Sequence, residues 1–210
     1  MVCNSGVGLT PCIDDKVYHF SAGGLYNGLV LLIDDETQTY WDHITGEALY
    51  GTLLKAKMDL WGIQITTVKA ALQTYPDLFL LRSKQELFAK MTSWIMSFPF
   101  AKGKFPPGFR KTMGEKDKRL PEMEIGVGVI EGEIKRFYPM AKIGEGIDDE
   151  LKGQPIKVQI NKADSVPFAQ FSNGTRPVQL FTRWYGFSYT FPGCEIYGVP
   201  VFYSYDKEKG

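Results

Sequence analysis

Histidine and cysteine are scarce in this sequence, with two and three residues respectively among 210. Imidazole is the usual general base near neutral pH and the commonest metal ligand, so chemistry that needs several histidines has no material here. Cys3, Cys12 and Cys194 form an odd set with no Cys-x-x-Cys spacing, which excludes a disulfide-dense miniprotein and leaves the redox compartment open. An excess of one charge is also missing. The 24 basic residues balance 24 acidic ones, so no global positive field exists to hold a phosphate backbone, and a nucleic-acid partner is not expected. The longest apolar run, Leu29 to Ile33, is far short of the roughly 20 residues that a membrane-spanning helix needs. The first residues, Met1 to Gly6, show neither the basic nor the apolar region of a signal peptide.

Aromatic residues and turn formers are plentiful: 14 Phe, 11 Tyr and 4 Trp stand beside 22 Gly and 12 Pro. That mixture suits short strands joined by tight turns. Lys16 to Trp41 alternates apolar and aromatic runs with Ser21-Ala22-Gly23-Gly24 and Asp34-Asp35-Glu36-Thr37, the pattern of an antiparallel meander. Asp42 to Glu47 makes a further turn and Ala48 to Leu54 another strand. Two segments change period. Thr66 is placed to cap a helix whose Val68, Ala71, Leu72 and Tyr75 form one apolar face before Pro76, and Ser83 with Glu86 has capping-box spacing ahead of Leu87, Met91, Trp94 and Ile95.

Residues 98–120 read as a loop rich in proline and glycine. From Lys102 to Arg119 it holds seven basic residues against Glu115 and Asp117, a solvated charge run or an anionic contact. Strands resume at 124–130, 134–138, 155–160 and 166–171, with the acidic stretch 145–150 as a turn. Gly126-x-Gly128 is not a dinucleotide fingerprint, because a strand and not a helix follows it. Asn173-Gly174-Thr175 has the form of a glycosylation acceptor, but Asn-Gly between two strand-like runs reads as a turn. Thr66…Thr74-Tyr75-Pro76 is echoed by Thr182…Thr190-Phe191-Pro192, which suggests a degenerate two-fold repeat. The expected fold is therefore α+β and β-rich: one domain over 1–210, with antiparallel strands in two similar lobes, 1–97 and 121–210, and a few short helices.

An ordered set of short signatures runs along the chain: Cys3-Asn4-Ser5-Gly6-Val7, Ser21 to Asn27, Asp35 with Thr37 and Trp41, Thr45-Gly46-Glu47-Ala48, Gly51-x-Leu53, Tyr75-Pro76-Asp77, then Arg136-Phe137-Tyr138-Pro139 and Phe191-Pro192. This order resembles the domain of unknown function 3179 family of bacteria and archaea. The resemblance implies a fold but no activity. It also implies a Cys-x-x-Cys of which Cys3 is the second member, with its partner just upstream of Met1, and an exported setting. Where many members have histidine before Pro-Asp, this chain has Tyr75.

Three chemistries remain to be weighed. Cys3, flanked by Asn4, Ser5 and Gly6, is a candidate nucleophile, redox thiol or soft metal ligand; as a small strand residue it would simply be buried. Cys3, Cys12, His19 and His43 make up one conceivable four-ligand metal set, although their spacing matches no standard zinc pattern. His19 alternates with Val17 and more naturally occupies one sheet face. Asp42 and Glu47 are a candidate acid-base pair, and Asn27, Asp35, Trp41 and Thr45 are candidate binding residues, polar groups beside aromatic surface. The competing reading has Asp35-Glu36-Thr37 and Thr45-Gly46 closing hairpins through side-chain-to-backbone bonds while Trp41 fills the core. A non-enzymatic β-rich binding or scaffold module without a cofactor is the leading expectation. Thiol-dependent redox or metal chemistry at Cys3 comes next, and an acid-base hydrolase last.

Overall fold

The structure, a computed structural model, describes residues 6–79, 105 and 108–200. Cys3 and the second expected helix, with Leu87, Met91, Trp94 and Ile95, lie outside the described residues. The first half is a chain of short strands: β1 (Gly8–Leu9), β2 (Cys12–Ile13), β3 (Lys16–Val17), β4 (Phe20–Tyr26), β5 (Leu29–Asp34), β6 (Tyr40–Asp42), β7 (Ala48–Tyr50) and β8 (Leu60–Trp61), then helix α1 (Val68–Thr74). The expected meander is the antiparallel sheet β4-β5-β6-β7. Asn27-Gly28 closes its first hairpin with both residues at positive φ, 50° and 71°, the primed turn that matches strand twist and that Asn-Gly favours. Alternation then sets the faces. Phe20, Leu32, Trp41 and Ala48 turn inward onto Leu9, Ile13 and Met58. Ile33, Tyr40 and Tyr50 share the opposite face in one cross-strand row.

The second half has β9 (Ile125–Glu131), β10 (Ile134–Pro139), α2 (Met140–Ile143), β11 (Ile147–Leu151), β12 (Gln154–Ile160), β13 (Pro167–Phe171), β14 (Val178–Arg183), α3 (Trp184–Thr190) and β15 (Glu195–Ile196). It forms a sheet β14-β9-β10-β15 and a meander β11-β12-β13. Val127 and Val129 face the meander and pack with Ile156, Val158 and Ala169. Gly126 and Gly128, which alternate with these valines, face the other way. A Cβ at Gly128 would overlap the Phe187 ring, so α3 can lie close there only over glycine, and one at Gly126 would overlap the Tyr138 carbonyl of β10. There Phe137, Leu180, Trp184 and Phe187 close a second core, joined by Ile44 of the first half. The free edge of β13 is covered by a side chain: the Gln179 carboxamide accepts from Ala169 N at 2.6 Å and donates to Ala169 O at 3.0 Å, imitating a strand partner.

The structure corrects three details of the expected organisation. The acidic residues Asp148, Asp149 and Glu150 are not a turn but lie in β11, where Ile147 and Leu151 are the buried positions. The helix cap is Thr67, whose Oγ1 accepts from Ala70 N, while Thr66 donates to Asp164 of the other half at 2.6 Å. The apolar face expected to be buried on α1 is exposed, with Val68 at 53%, Leu72 at 38% and Tyr75 at 60% accessibility. Ala70 is the buried residue, because the side of the helix that meets the fold is the one with a small residue. The described part of the expected loop, 108–120, is more than a linker. A 3-10 turn at Phe109–Thr112 packs Phe109 against Leu29 and Tyr185 and so ties the halves together.

Candidate functional site

The residues singled out between Asn27 and Glu47 gather around the β4–β7 hairpins. At their centre is a residue the sequence reading passed over, Asp34. It has no solvent exposure, and its carboxylate accepts from Thr37 Oγ1 at 2.8 Å, Thr39 N at 3.2 Å and Trp41 Nε1 at 2.8 Å, and also from Thr37 N. Burial pushes its pKa up, yet the donated hydrogen bonds from Trp41, Thr37 and Thr39 outweigh it and hold the group below the usual carboxylate range. The run Asp-x-x-Thr-x-Thr-x-Trp was the available signal: an acid that closes a turn and reaches the indole two strand positions beyond it.

Trp41 itself is fully buried, so it offers no stacking surface to a ligand. The exposed aromatic surface of this sheet belongs instead to Tyr26 and to Tyr50, 73% accessible, whose ring centroid is 6.4 Å from that of Tyr40. Asp42 Oδ1 accepts from Ile44 N at 2.7 Å and Thr45 N at 2.9 Å, the usual way an aspartate closes its own turn. Thr45 Oγ1 accepts from Glu47 N, and Glu47 pairs with Lys57 at 2.8 Å. Both carboxylates of the candidate acid-base pair are thus engaged by turn amides or a lysine. Asn27 Oδ1 accepts from Gly114 N at 3.4 Å while Gly28 N donates to Thr112 Oγ1 at 3.2 Å, so this turn anchors the 109–114 segment. Asp35 is exposed and accepts from Ser21 Oγ at 3.4 Å.

The candidate metal set is spread out. His19 is exposed and its Nδ1 lies 2.7 Å from Glu36 Oε1; that hydrogen bond raises its pKa. His43 buries its Nδ1 in the Asp42–Glu47 turn without a partner among the described residues. Cys12 is a half-buried free thiol in the β2–β3 hairpin, and Cys3 lies outside the described residues. Among the described residues no three His, Cys, Asp or Glu side chains gather to hold a metal ion, and no helix is long and apolar enough to cross a membrane. Cys194 is buried, and desolvation pushes its thiol up to about 12, the signature of an inert core cysteine.

Two further polar groupings stand apart from these residues, one between strands remote in the chain and one within a single segment. Arg136 joins Asp149 and Glu195, each at 2.7 Å, and Tyr138 donates to the same Asp149 at 2.8 Å. This network clamps β10 to β11 and β15. In the 108–122 segment Arg110 pairs with Glu122 and Arg119 with Asp117, both at 2.6 Å. The two arginines of the basic run are therefore neutralised internally, and Arg119 also donates to the Cys194 carbonyl at 2.9 Å.

No curated protein and no solved structure matches this chain. A family model described as "Protein of unknown function (DUF3179)" matches residues 1–198. With nearly the whole length matched, from the cysteine-bearing start through the Phe191-Pro192 end, the chain belongs to the DUF3179 family of proteins of unknown function.

Proposed function

We propose that this chain is a non-enzymatic, β-rich binding or scaffold module made of two similar lobes and working without a cofactor. The observation that carries the binding reading is the distribution of exposed apolar surface. Among the described residues, every exposed large hydrophobic side chain lies between Val17 and Phe79, including Tyr26, Tyr50, Trp61 and Tyr75, and none lies in 108–200. Scattered single exposures need no explanation, but confinement to one half of the chain marks a surface that works by contact. The polar candidates nearby serve to shape that surface: Asp34, Asp42 and Thr45 fix the hairpins that display Tyr40 and Tyr50.

Support for two similar lobes comes from local geometry. Helices α1 and α3 are both seven residues long and start 116 positions apart, at Val68 and Trp184. Their C-caps have nearly the same dihedrals, −132°/84° at Tyr75 and −124°/75° at Phe191. In each, the last threonine donates to the carbonyl four residues earlier, Thr74 to Ala70 and Thr190 to Gly186. Each helix also follows soon after a strand that pairs antiparallel with the first strand of its half, β8 with β1 and β14 with β9.

The test compares partners cross-linked in cells to the intact chain, its Cys3→Ala variant and a Tyr50→Ser/Tyr75→Ser variant. The reading expects one reproducible partner set that survives Cys3→Ala and is lost with the tyrosines. Loss on Cys3→Ala, or an unchanged set without the tyrosines, overturns it.

A further inference from the structure

The sheet β4-β5-β6-β7 ends at β4, and among the described residues no strand pairs with its outer edge. Asp34, opposite Phe20, donates its N–H to Thr39 O and accepts from Gln38 N. Antiparallel alternation therefore turns the N–H and C=O of Phe20 and Ala22 away from β5. Past the bulge between Ala22 and Gly24, Tyr26 and Leu29 close the two-residue turn as a hydrogen-bonded pair, so the backbone of Leu25 points outward too. Ser21, Ala22, Gly24, Leu25 and Tyr26 are exposed. A Cβ at Gly24 would meet nothing within 4 Å, so the edge is open to approach. A row of outward N–H and C=O groups is matched by one kind of ligand, another extended backbone.

Other edges of the molecule are guarded. Gln179 covers β13, Asp148, Asp149 and Glu150 put charge along β11, and β7 and β15 are only three and two residues long. Such devices keep sheet edges from pairing with other chains. Phe20–Tyr26 has its bulge but no charged residue and no proline, and the small side chains from Ser21 to Gly24 do not hold a neighbouring backbone off. Charge at the two ends of β4 says which backbone fits. At the Phe20 end stands Asp35, exposed and accepting from Ser21 Oγ; Glu36 beside it is shared with His19. At the Tyr26 end the Asn27–Gly28 turn holds Thr112 and Gly114, which brings in Lys111, exposed and without an ion-pair partner among the described residues. A second copy laid antiparallel along β4 sets the acidic end of each beside the lysine end of the other, as a two-fold axis requires of one patch used by both copies. Parallel pairing would bring like charges together.

We propose that the chain self-associates through β4, two copies pairing their β4 edges antiparallel so that one sheet runs through both. This edge lies across the sheet from β7 and Tyr50, so the dimer and the tyrosine surface stand or fall separately. The test uses sedimentation equilibrium of the intact chain from micromolar to millimolar concentration, with amide hydrogen exchange on the same samples. The mass should rise with concentration from 23.7 kDa toward twice that value. The amides of Phe20, Ala22 and Leu25 should be protected in the dimer and exchange freely on dilution, while those of Ser21 and Tyr26, bonded to β5, stay protected throughout. Ala22→Lys, which supplies the missing guard at an exposed position, should weaken association roughly tenfold or more and leave the melt of dilute protein in place. Lys111→Glu should weaken it about threefold, and adding Asp35→Lys should restore it, because the exchanged charges again meet across the axis. A mass that stays at 23.7 kDa, or a dimer indifferent to Ala22→Lys, overturns the proposal. Protection of the three outward amides that survives dilution overturns it as well, since the edge would then be covered within one chain, and this measurement needs no variant.

Discussion

Replacing Asp34 tests whether a single buried carboxylate organises the first half. Four donated hydrogen bonds converge on it, and two of the donors, Thr39 N and Trp41 Nε1, belong to residues with no solvent exposure. Asp34→Ala strands both, at about 1–3 kcal/mol for each unsatisfied buried donor, and a loss of about 4 kcal/mol is expected. For a chain of this size each kcal/mol moves Tm by about 2–4 °C, so the melt should fall on the order of 10 °C. Asp34→Asn keeps one acceptor oxygen and should lose about half as much. The pH dependence supplies a second signature. Because the folded-state pKa is depressed, the ionised carboxylate stabilises the fold above its unfolded pKa of about 4, and that contribution fades as pH falls through the folded value. The gap between wild type and Asp34→Asn should therefore be widest near neutrality and narrow below pH ~4. Urea melts followed by tryptophan fluorescence at several pH values measure both effects. A loss under about 1 kcal/mol for Asp34→Ala, or a gap that does not shrink in acid, would refute the reasoning.

The glycines give a paired prediction. Gly128→Ala drives a Cβ into Phe187, which is buried and cannot yield, whereas Gly8→Ala meets Trp61, which is 55% accessible and can swing out. Gly128→Ala should cost about 3 kcal/mol or more by thermal melt, and Gly8→Ala clearly less. Thiol labelling of the folded protein near pH 8 should leave Cys194 unmodified until denaturant is added, since burial and a pKa pushed up to about 12 keep it a thiol; rapid labelling in the native state would contradict the core placement. The exposed His19–Glu36 pair gives a pH-dependent prediction. Its hydrogen bond raises the His19 pKa, so the attraction is present at mildly acidic pH and lost as pH rises through the folded value. Glu36→Gln should bring the NMR midpoint of His19 back toward about 6.5, and an unmoved midpoint would dismiss the pair.

Periodicity and turn chemistry determined much of this protein from sequence alone. Alternation of apolar residues around Trp41, Asn-Gly at the first hairpin, and Pro76 and Pro192 after the helices fix strands, turns and helix ends locally, because each depends on backbone preferences of a few neighbouring residues. The same local chemistry assigned Thr45 to turn closure as one of its two readings. Tertiary structure decided which faces are covered. The apolar stripe of α1 has the spacing of a buried face, yet burial follows from what packs against a helix, and Ala70 is the residue that does. The acidic run in β11 looks like a turn until Arg136, from another strand, compensates Asp149. Thr66 meets Asp164, 98 positions later, only because the coil after β8 is laid beside the turn between β12 and β13. Charge pairing and contacts of this kind join residues far apart in the chain, and their energies depend on distances that no sequence spacing encodes.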